Sequence, residues 1–284
     1  MDSLEHYIRR HKLDRVAAHI TESVRDCIRL KTQSAHDMTI APAASKLGGR
    51  PDLPATVEWP RWHSSPLSFI AQINTRDLPN VKSEVELPHD VLLSFFYEPK
   101  QSTWGFDPKD WGSWSVIASN LDTQLERREF PADLEEDARF QACTLLAKKS
   151  FSLPDPNSER IEKWGMSSEE GDAYLELYEE LMPGEDVGFN HQILGYASQI
   201  QNDMELECQL VSNGIYCGDS SGYASPQAKA LETGASEWRL LIQIDSDDDA
   251  GMMWGDAGRL YFWMREPDLR ARNFDRAWMI LQCY

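Results

Sequence analysis

Apolar side chains recur in steps of three and four from Leu4 through Ile8, Val16, Ile20, Val24 and Ile28. That spacing predicts an amphipathic helix over residues 4–31, within an N-terminal helical segment 1–34, whose other face carries Arg9, Arg10, Lys12, Arg15, Arg25 and Arg29. The pattern then breaks. Residues 32–50 are small and polar, and seven of the 15 prolines fall between Pro42 and Pro88. Each proline fixes φ and removes a backbone donor, so this stretch reads as extended chain with strands at Pro66–Asn74 and Val91–Tyr97. Gly105–Trp114 is rich in turn residues and precedes a strand at Trp114–Ala118.

Residues 122–186 read as an acidic helical insertion. Ser167 to Glu170 has the form of a capping box, and Pro183-Gly184 ends the apolar run that holds Tyr174, Leu177 and Leu181. Ser225-Pro226 opens another short helix, closed by Gly234. The last third returns to strands at Trp238–Asp245, Arg259–Met264 and Arg276–Cys283, with a brief helix from Glu266.

Two segments echo each other. Phe69 to Asn74 ends in Gln-Ile-Asn and leads through a loop to the aromatic strand at Leu93; Leu240 to Asp245 ends in Gln-Ile-Asp and leads to the aromatic strand at Leu260. The fold expected is α+β: mainly antiparallel sheets in two related β-rich halves, with the internal repeat at about 66–97 and 238–264, inside a single domain spanning 40–284. Gln72 and Gln243, each flanked by apolar residues, are expected to bond to neighbouring backbone and fix strand register.

Composition sharpens this picture. The 284 residues are 41% hydrophobic and hold 28 Lys and Arg against 47 Asp and Glu, a net charge of −19. Residues 1–31 hold seven basic and five acidic side chains, whereas 122–186 hold 18 acidic and seven basic. An acidic body repels nucleic acid and favours a basic protein partner. No run approaches the roughly 18 apolar residues of a membrane span, and the start lacks a secretory pattern, so a soluble, cytoplasmic protein is expected. The five cysteines follow no disulfide or zinc spacing and read as buried thiols.

The candidate chemistry is sparse. Asp245, Asp247, Asp249 and Asp256 fall at positions 1, 3, 5 and 12 of a calcium-type loop, a candidate calcium or magnesium site. Ala250 stands where such a loop turns on glycine, and strands flank it, so a solvated acidic turn is the competing reading. Ten tryptophans include Trp104, Trp111 and Trp254 in turn-rich segments, candidates for stacking on a sugar or anchoring a partner, against the alternative of core filling. Among seven histidines, His191 is singled out as a candidate contact residue. No hydrolase elbow, P-loop or dinucleotide fingerprint is present.

Gly48 to Pro54, Trp59-Pro60, Pro66 to Asn74, His191 to Asp203, Gln243 to Gly258 and Asn273 to Tyr284 together resemble the YwqG-like family, from about residue 40 to the end. Ala197 departs from the proline expected there. The resemblance implies an α+β fold with extensive antiparallel sheet. It carries over no catalytic residues, because the family is a mostly bacterial domain of unknown function. Toxin-system neighbours of some relatives imply an immunity-type role. The reading leans away from an enzyme, toward a non-enzymatic binding protein of immunity or antitoxin type. The alternatives are a metal-dependent hydrolase or ligand binder on the Asp245–Asp256 loop, and a sugar or small-ligand binder on the Trp loops.

Overall fold

The computed structural model describes residues 4–82, 85–182 and 191–284. The strands, in chain order, are β1 (Arg25–Ser34), β2 (Lys46–Leu47), β3 (Asp52–Leu53), β4 (Arg61–Trp62), β5 (Ser65–Pro66), β6 (Ser68–Asn74) and β7 (Val91–Tyr97). They continue as β8 (Trp114–Asn120), β9 (Glu126–Arg127), β10 (Cys143–Ser152), β11 (His191–Ile193), β12 (Trp238–Asp245), β13 (Arg259–Arg265) and β14 (Trp278–Gln282). Ten of them form one antiparallel sheet in the order β14-β13-β12-β11-β1-β10-β2-β6-β7-β8. The fold is α+β.

That order reads as two halves related by a pseudo-dyad between β1 and β10. The Gln-Ile-Asx strands β6 and β12 occupy equivalent places, and each is followed by its aromatic neighbour. The match extends to the irregularities. β6 shifts register against β7 between Phe69 and Ala71, and β12 shifts against β13 between Leu240 and Ile242, so Ile70 and Leu241 sit at equivalent bulges. After β2 the chain turns through Gly48 and Gly49 at φ +56° and +67°; after β11 it turns through Leu194 and Gly195 at +60° and +74°. A Cβ at Gly48 would come within 2.0 Å of the Gln141 carbonyl oxygen, so only glycine fits there.

The sheet curls until its ends meet. The Trp114 and Trp278 rings are 4.9 Å apart, Trp114 Nε1 donates to the Ala277 carbonyl, and Phe95 packs on Phe262 at 5.0 Å. The enclosed core includes Ile28, Leu30, Leu47, Ile73, Phe95 and Ile242. A second core joins α1 (Leu4–Arg10), α2 (Ala17–Glu22), α3 (Glu159–Glu162) and α4 (Ser168–Leu181) through Ile8, Ile20, Ile161 and Leu177.

Three expectations are corrected. The N-terminal helix stops at Glu22, and residues 25–34 form β1 near the middle of the sheet rather than part of a helix over 1–34. Cys27, Ile28 and Leu30 fit either period over so short a run, and pairing with β10 decides the outcome. The acidic insertion is not helical throughout: it contains the ten-residue strand β10. Gly234 lies inside a 3-10 turn, Glu232–Glu237, that continues the helix Pro226–Leu231. The capping box at Ser167 is formed, with Glu170 returning the bond. Pro183-Gly184 lies outside the described residues.

Candidate functional site

One face of the sheet carries a polar row in each half. In the first half the row holds Lys46 and Gln72; in the second, Gln192 and Gln243 stand at the same places. Gln72 Oε1 accepts from the Asp52 N–H at 2.9 Å, and Gln243 Oε1 accepts from the Ser198 N–H at 2.9 Å. Each glutamine thus ties the loop after β2 or β11 to the sheet. Lys46 Nζ donates to the Arg50 carbonyl, as Gln192 Nε2 donates to that of Tyr196.

In the first half the buried charges are matched. Lys46 is fully buried and lies 3.0 Å from Asp37. Burial pulls its ammonium down, opposed by Asp37 and Asp52. Burial pushes the Asp37 carboxyl up, but Arg50 and Lys46 outweigh it, so it is held below its usual range. Arg127 grips the buried Asp52 through Nε at 3.0 Å.

The second half holds the sequence-predicted carboxylates, and it divides them. Asp245 is buried and paired with Arg259 at 2.8 Å; burial nevertheless raises its carboxyl. Asp247 accepts from Thr32 Oγ1 at 2.7 Å and from the Ala250 N–H at 2.8 Å. Burial alone would raise it, yet His191, Thr32 and that amide bring it to about 2. Asp249 and Asp256 are exposed. Among the described residues no group of three or more His, Cys, Asp or Glu side chains is placed to hold a metal ion. The calcium-type spacing is instead a hairpin tip: Asp247 and Met252 exchange backbone bonds of 2.8 Å, and Asp247 Oδ1 closes the turn.

His191 is 2% exposed. Its Nδ1 accepts from the Asp245 N–H at 3.0 Å, so Nε2 carries the proton and donates to Asp247 at 3.1 Å. With both ring nitrogens engaged, the imidazole acts as a strut between β11 and the acidic turn. Trp254 is 1% exposed and donates to the Asp245 carbonyl, so it is core. Trp104 is half-buried and donates to the Gln101 carbonyl. Trp111 alone of these three presents a broad surface, 46% exposed, stacked on Trp278 at 5.4 Å. It lines a groove of about 320 Å³ with Arg61, Trp114, Phe274 and Asp275, at the seam where the sheet ends meet. All five cysteines are buried thiols.

Sequence reasoning missed the first-half ion network and Arg29, which is buried in β1. It also missed that Arg10, His11 and Arg15 of the basic N-terminal face bind Glu180 and Glu170 of α4. No helix among the described residues is long and apolar enough to cross a membrane.

Residues 45–283 match the family described as "Domain of unknown function (DUF1963)", and the chain belongs to that family. No curated protein matches the chain.

Proposed function

We propose that this member of the DUF1963 family is a non-enzymatic binding protein of immunity or antitoxin type, YwqG-like in character, that captures a basic protein partner with the outer face of α4. The observation that carries this reading is Leu175, a large apolar side chain left 42% exposed between the exposed carboxylates of Asp172, Glu176 and Glu179. An apolar anchor ringed by one sign of charge suits a partner with a basic rim around an apolar pocket. The N-terminal segment neutralises Glu170 and Glu180 at one edge of α4 and reaches Glu176 only through His11 at 3.6 Å, and Asp172, Leu175 and Glu179 stay exposed. His191 and the buried thiols are tied into structure, which fits binding without chemistry.

Co-expression with the products of neighbouring genes tests it. Wild-type protein should co-purify with a basic product and protect cells from it, and Leu175→Asp with Asp172→Lys and Glu179→Lys should lose both while remaining folded. Protection undiminished in that triple variant sinks the reading.

A second reading is favoured by Trp111. Its exposed ring beside Arg61 and Asp275 is a stacking platform with hydrogen-bonding groups at its edge, which suits a sugar ring. Tryptophan fluorescence titrated with a panel of mono- and oligosaccharides should show quenching that Trp111→Ala abolishes; no response from any sugar removes this reading.

A further inference from the structure

The groove that Trp111 lines carries a charge pattern that narrows its ligand. Most of its wall is apolar or aromatic: Pro60, Leu67, Val116 and Phe274 line it with Trp111 and Trp114. Two charged side chains also line it, Arg61 and Asp275. Arg61 is already matched. Its guanidinium meets both carboxylate oxygens of Asp133, at 2.8 and 3.0 Å, and its Nη1 also donates to the Ser64 carbonyl at 2.6 Å. Asp275 is exposed, and its carboxylate makes no ion pair or hydrogen bond among the described residues. Arg276, the next residue along, is exposed but does not line the groove. The groove therefore presents one negative charge to whatever enters it.

The aromatic surface beside that charge is set in advance. Trp278 stacks on the Trp111 ring at 5.4 Å, and Trp114 meets it edge-on at 5.9 Å, which fixes the ring before a ligand arrives. An indole face packs on the C–H face of a sugar ring, and its quadrupole also attracts a cation. A space of about 320 Å³ lies at the lower end of small-molecule sites, roughly 300–1,000 Å³. The charge of the whole chain, −19, draws cations rather than anions toward its surface.

We propose that the groove binds a protonated amino sugar. This rests on the reading of Trp111 as a sugar platform and adds the class of sugar. The pyranose ring lies on Trp111, and its ammonium group meets the Asp275 carboxylate. A neutral sugar offers Asp275 only hydroxyl donors, which make weaker bonds than a charged one, and an acidic sugar is repelled.

The test is calorimetric titration of the full chain at about pH 6, where an amine of this kind is protonated. The probes are glucosamine, galactosamine, glucose, galactose, N-acetylglucosamine and tetramethylammonium. Each amine should bind about 10-fold more tightly than its neutral parent, the worth of one exposed ion pair together with a cation–π contact. High salt should shrink that preference, because the ion pair is exposed. Asp275→Asn, a substitution of the same shape at an exposed position, should erase it, and Trp111→Ala should abolish binding of every sugar. A neutral sugar that binds as tightly as its amine, or a preference that survives Asp275→Asn, overturns the amino-sugar assignment and leaves the sugar platform standing. Tetramethylammonium that binds as tightly as the amines also overturns it, because the sugar ring would then contribute nothing. If no sugar of either class binds at millimolar concentration, the platform reading and the assignment fall together.

Discussion

Lys46 and Gln192 stand at equivalent places in the two halves, and each reaches the same backbone carbonyl in the loop that follows its strand. Around Lys46 the chain has gathered Asp37, Asp52 and the arginines that meet them. Gln192 is a neutral amide, and the buried cation stands one strand over at Arg29, which forms no ion pair among the described residues. The same scaffold therefore supports two different arrangements of buried charge, one on each side. Symmetry of backbone does not carry symmetry of charge.

Breaking the ion network of the first half should produce the largest effect. Lys46→Met removes a fully buried cation bound by both Asp37 and the Arg50 carbonyl, leaves Asp37 only its arginine partners, and should cost about 3 kcal/mol in urea unfolding. A neutral result would show that the first half is no more dependent on its charges than the second. A smaller effect, confined to the second half, concerns Glu207 of α5 (Glu205–Val211), whose carboxyl burial lifts to about 7 against a hydrogen bond with Tyr223. The unfolded chain ionises it near pH 4.5. Between those values the folded state holds the extra proton, so stability falls as pH rises from about 4.5 to 7. Glu207→Gln should remove that decline, raising stability at pH 8 by up to about 3 kcal/mol with little change at pH 4. A wild-type melting temperature flat over that range would contradict the assignment.

The finest comparison is between the two glutamines. Gln72→Leu and Gln243→Leu each strand one loop N–H, at a cost of roughly 1–3 kcal/mol. Gln72 also donates to the Asp52 carboxylate and the Ala44 carbonyl, both at 2.8 Å, so its loss should fall in the upper part of that range. A loss below about 1 kcal/mol at Gln72 would mean that its bond to the ion network adds nothing to the loop anchor.

How much of this was legible in the sequence follows from distance along the chain. The Gln-Ile-Asx echo is local, and it disclosed the two halves and the glutamine anchors. The capping box at Ser167 is local too, and was readable. β1 was not, because Cys27, Ile28 and Leu30 satisfy a helical and an extended pattern equally until Ser152 to Cys143 arrive as partners. Asp245 and Asp247 advertised a metal loop, but their partners Arg259, His191 and Thr32 are distant in sequence or unmarked by any motif. The burial of Arg29 is the least readable feature of all, since it is set by what packs over it across strands.

The placement of β1 between β10 and β11 also governs how the chain comes together in time. Its residues pair with β10 positions more than a hundred residues later, and with β11 later still. During synthesis β1 therefore emerges well before either neighbour, with Ile28 and Leu30 among its apolar residues and both edges open. Long-range closure of this kind slows folding and prolongs the exposure of a sticky edge. Chaperone dependence and the pace of translation through residues 143–193 should thus matter more to the yield of this protein than the strength of any single contact in its finished core.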